Sequence, residues 1–158
     1  MAETYVAIML QSLKKKDQVL EQIIILNRKQ KDVLENPDAS ADEFDVLVEQ
    51  KGALIEQLEQ LDSGFEKLFA RMKDELENNK EQYASQIKEM QKYIRSVTDK
   101  SVEIQSQEAR NKDLMVKKFT YVRQQAKTVR TGTQVASKYY QNMTKMNLID
   151  PQFMDNKQ

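Results

Sequence analysis

Apolar residues open the chain at helical spacing: Tyr5/Val6, Met9/Leu10, Leu13, Val19/Leu20, Ile23/Ile24, Leu26 and Val33/Leu34. They form two parallel seams. One runs Tyr5, Met9, Val19, Ile23, Leu26, Val33 and the other Val6, Leu10, Leu13, Leu20, Ile24, Leu34. A stripe this wide exceeds a single coiled-coil seam, so the pattern predicts a helix over about residues 3–35 lying against two neighbours. Asn36-Pro37-Asp38-Ala39-Ser40 ends it, because Pro37 pushes Asn36 out of helical geometry. Ser40 then caps the next helix, with Glu43 at the third helical position completing a capping box.

From Phe44 a heptad runs almost unbroken. Its first line is Phe44, Lys51, Leu58, Phe65, Met72, Asn79, Gln86, Tyr93, Lys100, and its second is Val48, Ile55, Asp62, Phe69, Leu76, Tyr83, Met90, Val97, Ile104. Most of these are apolar, as a coiled-coil-like seam requires. The pattern continues in a shifted phase through Met115, Phe119, Val122, Ala126 and Val129. A single helix over 41–130 would be about 135 Å long at ~1.5 Å per residue, far beyond what the first helix could cover. Either that rod dimerises or it folds back.

Charge bears on the choice. Residues 32–79 carry 14 acids and 4 bases, whereas residues 80–130 carry 6 acids and 12 bases. Segments of opposite sign attract when laid side by side. The sign changes at Asn78-Asn79-Lys80, the least apolar point of the pattern, and a reversal near 77–81 is the favoured reading. A continuous helix remains the alternative, since Asn-Asn breaks helices weakly and the heptad keeps its phase. The expected fold is all-α: an elongated antiparallel helical bundle or coiled coil of about three helices (about 3–35, 41–77 and 81–131) with a C-terminal tail.

The tail, residues 132–158, differs in composition and is expected to be amphipathic or partly disordered. It follows a helix stop at Gly132. Val135, Tyr139, Met143 and Met146 fall on one face of a short helix, with Tyr140 beside them. Methionine and aromatic side chains suit a surface that repacks around a partner, so these five are the candidate partner-binding residues. The same face could equally dock on the chain's own bundle.

Composition supports the helical reading and narrows the chemistry. The 158 residues include 3 Gly and 2 Pro, too few for the turns of a sandwich or barrel. With no His and no Cys, Cys/His zinc sites, His-dependent nucleophile systems and disulfides are excluded. Asp38, Ser40 and Asp42 do not make a calcium loop, because Glu43 stands where the turn needs Gly. Gly132 lacks the Gly-Lys-Ser/Thr ending of a phosphate loop. Acid pairs such as Glu56 with Glu59, or Glu66 with Glu77, read as solvated helix faces. Lys112, Lys117, Lys118, Arg123, Lys127 and Arg130 form a basic stretch, but the chain's own acidic helix balances it, so nucleic acid is not an expected partner. Three lysines (Lys14–Lys16) interrupt the first apolar stretch, unlike a secretory signal, and no apolar run is long enough to span a membrane. The expectation is a cytoplasmic binding protein without enzymatic activity, metal or cofactor.

The order of segments carries a resemblance. A broad-faced first helix and a short turn precede LVEQKGALIEQLEQLDSGFEKLF (47–69), and later comes IQSQEARNKDLMVKKF (104–119), with Asn111 ahead of Leu114-Met115. Over most of residues 5–130 this resembles the FlgN family of bacterial flagellar type III export chaperones; the FliT-type chaperones look similar. The resemblance implies a small helical chaperone that binds C-terminal segments of hook–filament junction (hook-associated) proteins and brings them to the flagellar export apparatus, with substrate contact toward its C-terminal region. The alternative is a structural coiled-coil protein acting by self-association; a homodimer is open on either reading.

Overall fold

The computed structural model describes residues 2–122. They form three helices: α1, Ala2–Glu35; α2, Ala41–Asn78; and α3, Ala84–Val122. The long periodic region therefore reverses, and the three helices make an antiparallel bundle. Helix α1 makes the extensive interfaces, with α3 and with α2, while α2 and α3 approach one another less closely. This is the arrangement that the double seam of α1 requires. Val6, Met9, Val19, Leu20, Ile23, Ile24, Leu26 and Leu34, drawn from both seams, are all buried.

The α1–α2 connection follows local chemistry. The Asn36 N–H donates to Asp32 O (3.1 Å) and Asn36 Oδ1 accepts from the Asp38 N–H (2.9 Å), a side-chain turn ahead of the cap. Ser40 is extended, its Oγ accepts from the Glu43 N–H (3.3 Å), and its own N–H donates to Glu43 Oε2 (3.0 Å). The capping box is complete. No basic residue occupies the last turn of α1. Instead Lys118 reaches over from α3 and donates to Val33 O (3.0 Å) and Asn36 O (2.7 Å), placing a cation on the carbonyl end of the α1 dipole.

The second reversal occupies residues 79–83 and uses neither glycine nor proline. Asn79 closes α2 with φ −130° and ψ 44°, its backbone N–H (3.1 Å) and side-chain Nδ2 (3.0 Å) both donating to Glu75 O. No described residue has positive φ. Tyr83 plugs the turn, buried to 2% exposure against the apolar ends of the helices.

Two expectations need correction. The first heptad line does not carry through the turn. In α3 the buried line is Ile94, Ser101, Glu108 and Met115, one residue later than Tyr93 and Lys100, which are half-buried. The second line, Tyr83, Met90, Val97 and Ile104, holds and extends to the buried Asn111. A reversal lets the new helix choose its own rotation, so one line survives and the other shifts by a residue. What looked like a phase change near Met115 is this shifted line continuing through polar residues.

The charge argument reached the right fold by the wrong contacts. The exposed cross-bundle pairs Lys14–Glu89 and Arg28–Glu103 join α1 to α3, and Lys16–Asp62 joins α1 to α2. Between α2 and α3 the buried pair is Lys51 with Glu108, a base from the acidic helix meeting an acid from the basic one.

Candidate functional site

Two apolar clusters fill the bundle. One contains Val19, Ile24, Phe44, Val48, Ile55, Leu58, Val97 and Ile104, and the other Val6, Met9, Phe69, Met72, Leu76, Tyr83 and Met90. Polar side chains sit where the clusters meet. Lys16 Nζ donates to Asp62 Oδ1 at 2.6 Å. Burial pushes the Asp62 carboxyl up, while the Lys16 charge opposes that rise. On the other flank Asp17 Oδ1 accepts from Ser96 Oγ (2.6 Å) and Lys100 Nζ (3.0 Å).

A deeper layer lies inside the first cluster. Lys51 is wholly buried, and its Nζ donates to Gln30 Oε1 (2.7 Å) and to Glu108 Oε1. Nearby, Asn27 Nδ2 donates to Gln107 Oε1 (2.9 Å), Gln107 Nε2 to Ile24 O (3.3 Å), and Asn111 Nδ2 to Asn27 O (3.0 Å). Burial lowers the Lys51 ammonium from its ordinary 10.5 to about 8, against the opposing pull of Glu108. Packed among aliphatic side chains, this layer can fix helix register and orientation. The sequence carried its signal in Lys51 and Asp62, two charged residues on otherwise apolar heptad lines.

An apolar surface groove lies at the far end. A groove of about 320 Å³ runs between the end of α2 and the start of α3, floored by Phe69, Leu76, Ala84 and Ile87 and rimmed by Lys73, Glu77, Lys80 and Lys88. Sequence reasoning missed it, because only the reversal brings residues 69–80 beside residues 84–91. Among the described residues there is no group of three or more His, Cys, Asp or Glu placed to hold a metal ion. No helix among them is long and apolar enough to cross a membrane. The candidate partner-binding residues Val135, Tyr139, Tyr140, Met143 and Met146, and the helix stop expected at Gly132, lie outside the described residues.

A protein-family model described as FlgN protein matches residues 1–147 of this chain. The chain belongs to the FlgN family. It is thereby a flagellar export chaperone in general character, and the described part of this FlgN-family member is a three-helix bundle. No curated protein and no solved structure matches the chain.

Proposed function

We propose that this FlgN-family chaperone acts in the cytoplasm, binds the C-terminal segments of hook–filament junction proteins and delivers them to the type III export gate. In this reading residues 1–131 are the bundle and residues 132–158 the binding tail, with Val135, Tyr139, Tyr140, Met143 and Met146 as its contact face. The observation that carries the reading is the extent of the family match, which runs to residue 147 and so takes in all five residues. The physical mode is helix-in-groove: an amphipathic substrate helix buries its apolar stripe against the tail face, which replaces water on both. Ordering a flexible substrate segment costs entropy, which keeps the complex reversible enough for release at the gate.

Self-association of a coiled-coil rod is less well supported, because most apolar heptad positions of residues 44–104 are buried within one chain once the helix reverses. The test is calorimetric titration of the full chain with the C-terminal segment of a hook–filament junction protein. Tyr139→Ser combined with Met143→Ser should weaken binding by roughly 2 kcal/mol or more if these are central anchors, with circular dichroism unchanged. Unaltered affinity would remove the tail face from the binding site. A loss of both affinity and helicity would make the two residues structural.

A further inference from the structure

The groove at the hairpin end is lined by α2, the turn and α3 alone. Phe69, Lys73, Leu76, Glu77 and Lys80 follow one face of α2 and the chain leaving it, and Ala84, Ile87, Lys88 and Gln91 follow one face of α3. Residues of α1 are absent from the lining, so this trough is on the side of the α2–α3 pair that α1 leaves open. Its length runs along two antiparallel helices, the shape that receives a further helix. Its volume seats a pair of aliphatic side chains one helical turn apart.

The rim is net basic, three lysines against one glutamate. Lys73, Lys80 and Lys88 are exposed, and none forms an ion pair among the described residues; Glu77 is the one acid on the lining. Apolar floor and cationic rim together define the occupant. We propose that this groove is a second docking surface, separate from the tail face, for an amphipathic helix of a partner protein whose apolar stripe is flanked by acidic residues. The chain's own residues 123–158 are a poor complement, since they carry six bases (Arg123, Lys127, Arg130, Lys138, Lys145, Lys157) against two acids (Asp150, Asp155). A second copy would have to bring an acidic face to this rim while leaving its own groove open. The assignment does not depend on the tail reading, and tail variants leave it unchanged.

The experiment uses the full chain, isotopically labelled for amide NMR, and two synthetic helical peptides. Both carry leucine at i, i+3, i+4 and i+7; one is flanked by glutamate and the other by lysine. The glutamate peptide should bind and shift the amides of Leu76, Ala84, Ile87 and Lys88. The triple variant Lys73→Glu, Lys80→Glu, Lys88→Glu should bind it about tenfold less tightly, the effect of three exposed charge pairs together, and should instead accept the lysine peptide. That exchange of preference cannot come from misfolding. Equal binding of both peptides to the unaltered chain, no binding of either, or shifts confined to other surfaces would overturn the proposal. So would groove shifts that grow with protein concentration alone, which mean a second copy. A spin label at Ala136→Cys that broadens the groove amides in the free chain would assign the groove to the tail, and the proposal would fall.

Discussion

Lys51 and Glu108 stand 57 residues apart in the chain and meet in the bundle interior, with side-chain exposures of 0% and 7%. Their bond is the polar crossing between the two helices that otherwise approach least closely, and Gln30 supplies the third corner from α1. Removing one partner leaves an uncompensated charge in an aliphatic setting. Lys51→Met or Glu108→Leu alone should each cost about 3–5 kcal/mol, whereas the double variant should return to within about 1 kcal/mol of the parent or exceed it. Urea unfolding of the four proteins measures this cycle. Additive losses would mean that the two residues act independently.

The same lysine gives a pH dependence of defined sign. Its folded pKa is about 8 against an ordinary 10.5. Between those values the unfolded chain holds a proton that the folded chain has released, so the contribution of Lys51 turns in favour of the fold as pH rises from about 8 toward 10.5 and is flat below that window. Unfolding free energies of the parent minus those of the Lys51→Met, Glu108→Leu double variant should therefore climb across this range. A difference that falls with pH would contradict the burial argument.

Gly52 and Gly64 lie inside α2, and a Cβ built on either meets nothing within 4 Å. Neither has positive φ, so neither position needs glycine for its backbone. Gly52→Ala and Gly64→Ala should each stabilise by about 0.5–1 kcal/mol, through the smaller conformational freedom of the unfolded alanine chain. Thermal unfolding of the two single variants decides it, and a loss at Gly64 would point to a use for its bare backbone.

The capping box makes a local prediction. Ser40→Ala removes the acceptor for the Glu43 N–H and should cost about 1 kcal/mol, while Ser40→Asp should cost little, since a carboxylate accepts the same bond. Amide exchange at Glu43 is the direct readout: it should quicken in the alanine variant and stay slow in the aspartate one.

Much of this architecture is legible in the sequence because short-range chemistry sets it. Pro37, Ser40 and Glu43 mark one boundary by mechanisms that act within a few residues. The width of the apolar stripe on α1 states how many neighbours it must have. The reversal at 79–83 was readable from the excessive length of an unbroken helix, the dip in apolar pattern at Asn78-Asn79-Lys80 and the change of charge sign there, and the turn itself is built from Asn79 and Tyr83 without glycine. The rotation of α3 was not readable, because a heptad specifies spacing and leaves open which line faces inward after a turn. Pairings such as Gln30 with Lys51 and Glu108 depend on three helices meeting, and residue type at one position does not name its partner at another. The groove is likewise a product of the hairpin, assembled from two stretches that each read as ordinary helix surface. The tail face stood out by its composition and by the helical spacing of Val135, Tyr139, Met143 and Met146, and its five residues are a proposal.

The polar layer also sets an order of events during folding. Gln30 and Lys51 belong to the α1–α2 hairpin, 21 residues apart, whereas Glu108 must arrive from 57 residues beyond Lys51. Until α3 docks, the Lys51 ammonium keeps its water, so dehydration of the charge coincides with the step of longest loop closure. That step is the expected barrier. An aliphatic replacement of the Lys51–Glu108 pair would leave the hairpin unchanged and remove the dehydration from the climb. In stopped-flow refolding the double variant should therefore reach the native state faster than the parent, with the gain in the folding arm of the denaturant dependence and little change in the unfolding arm.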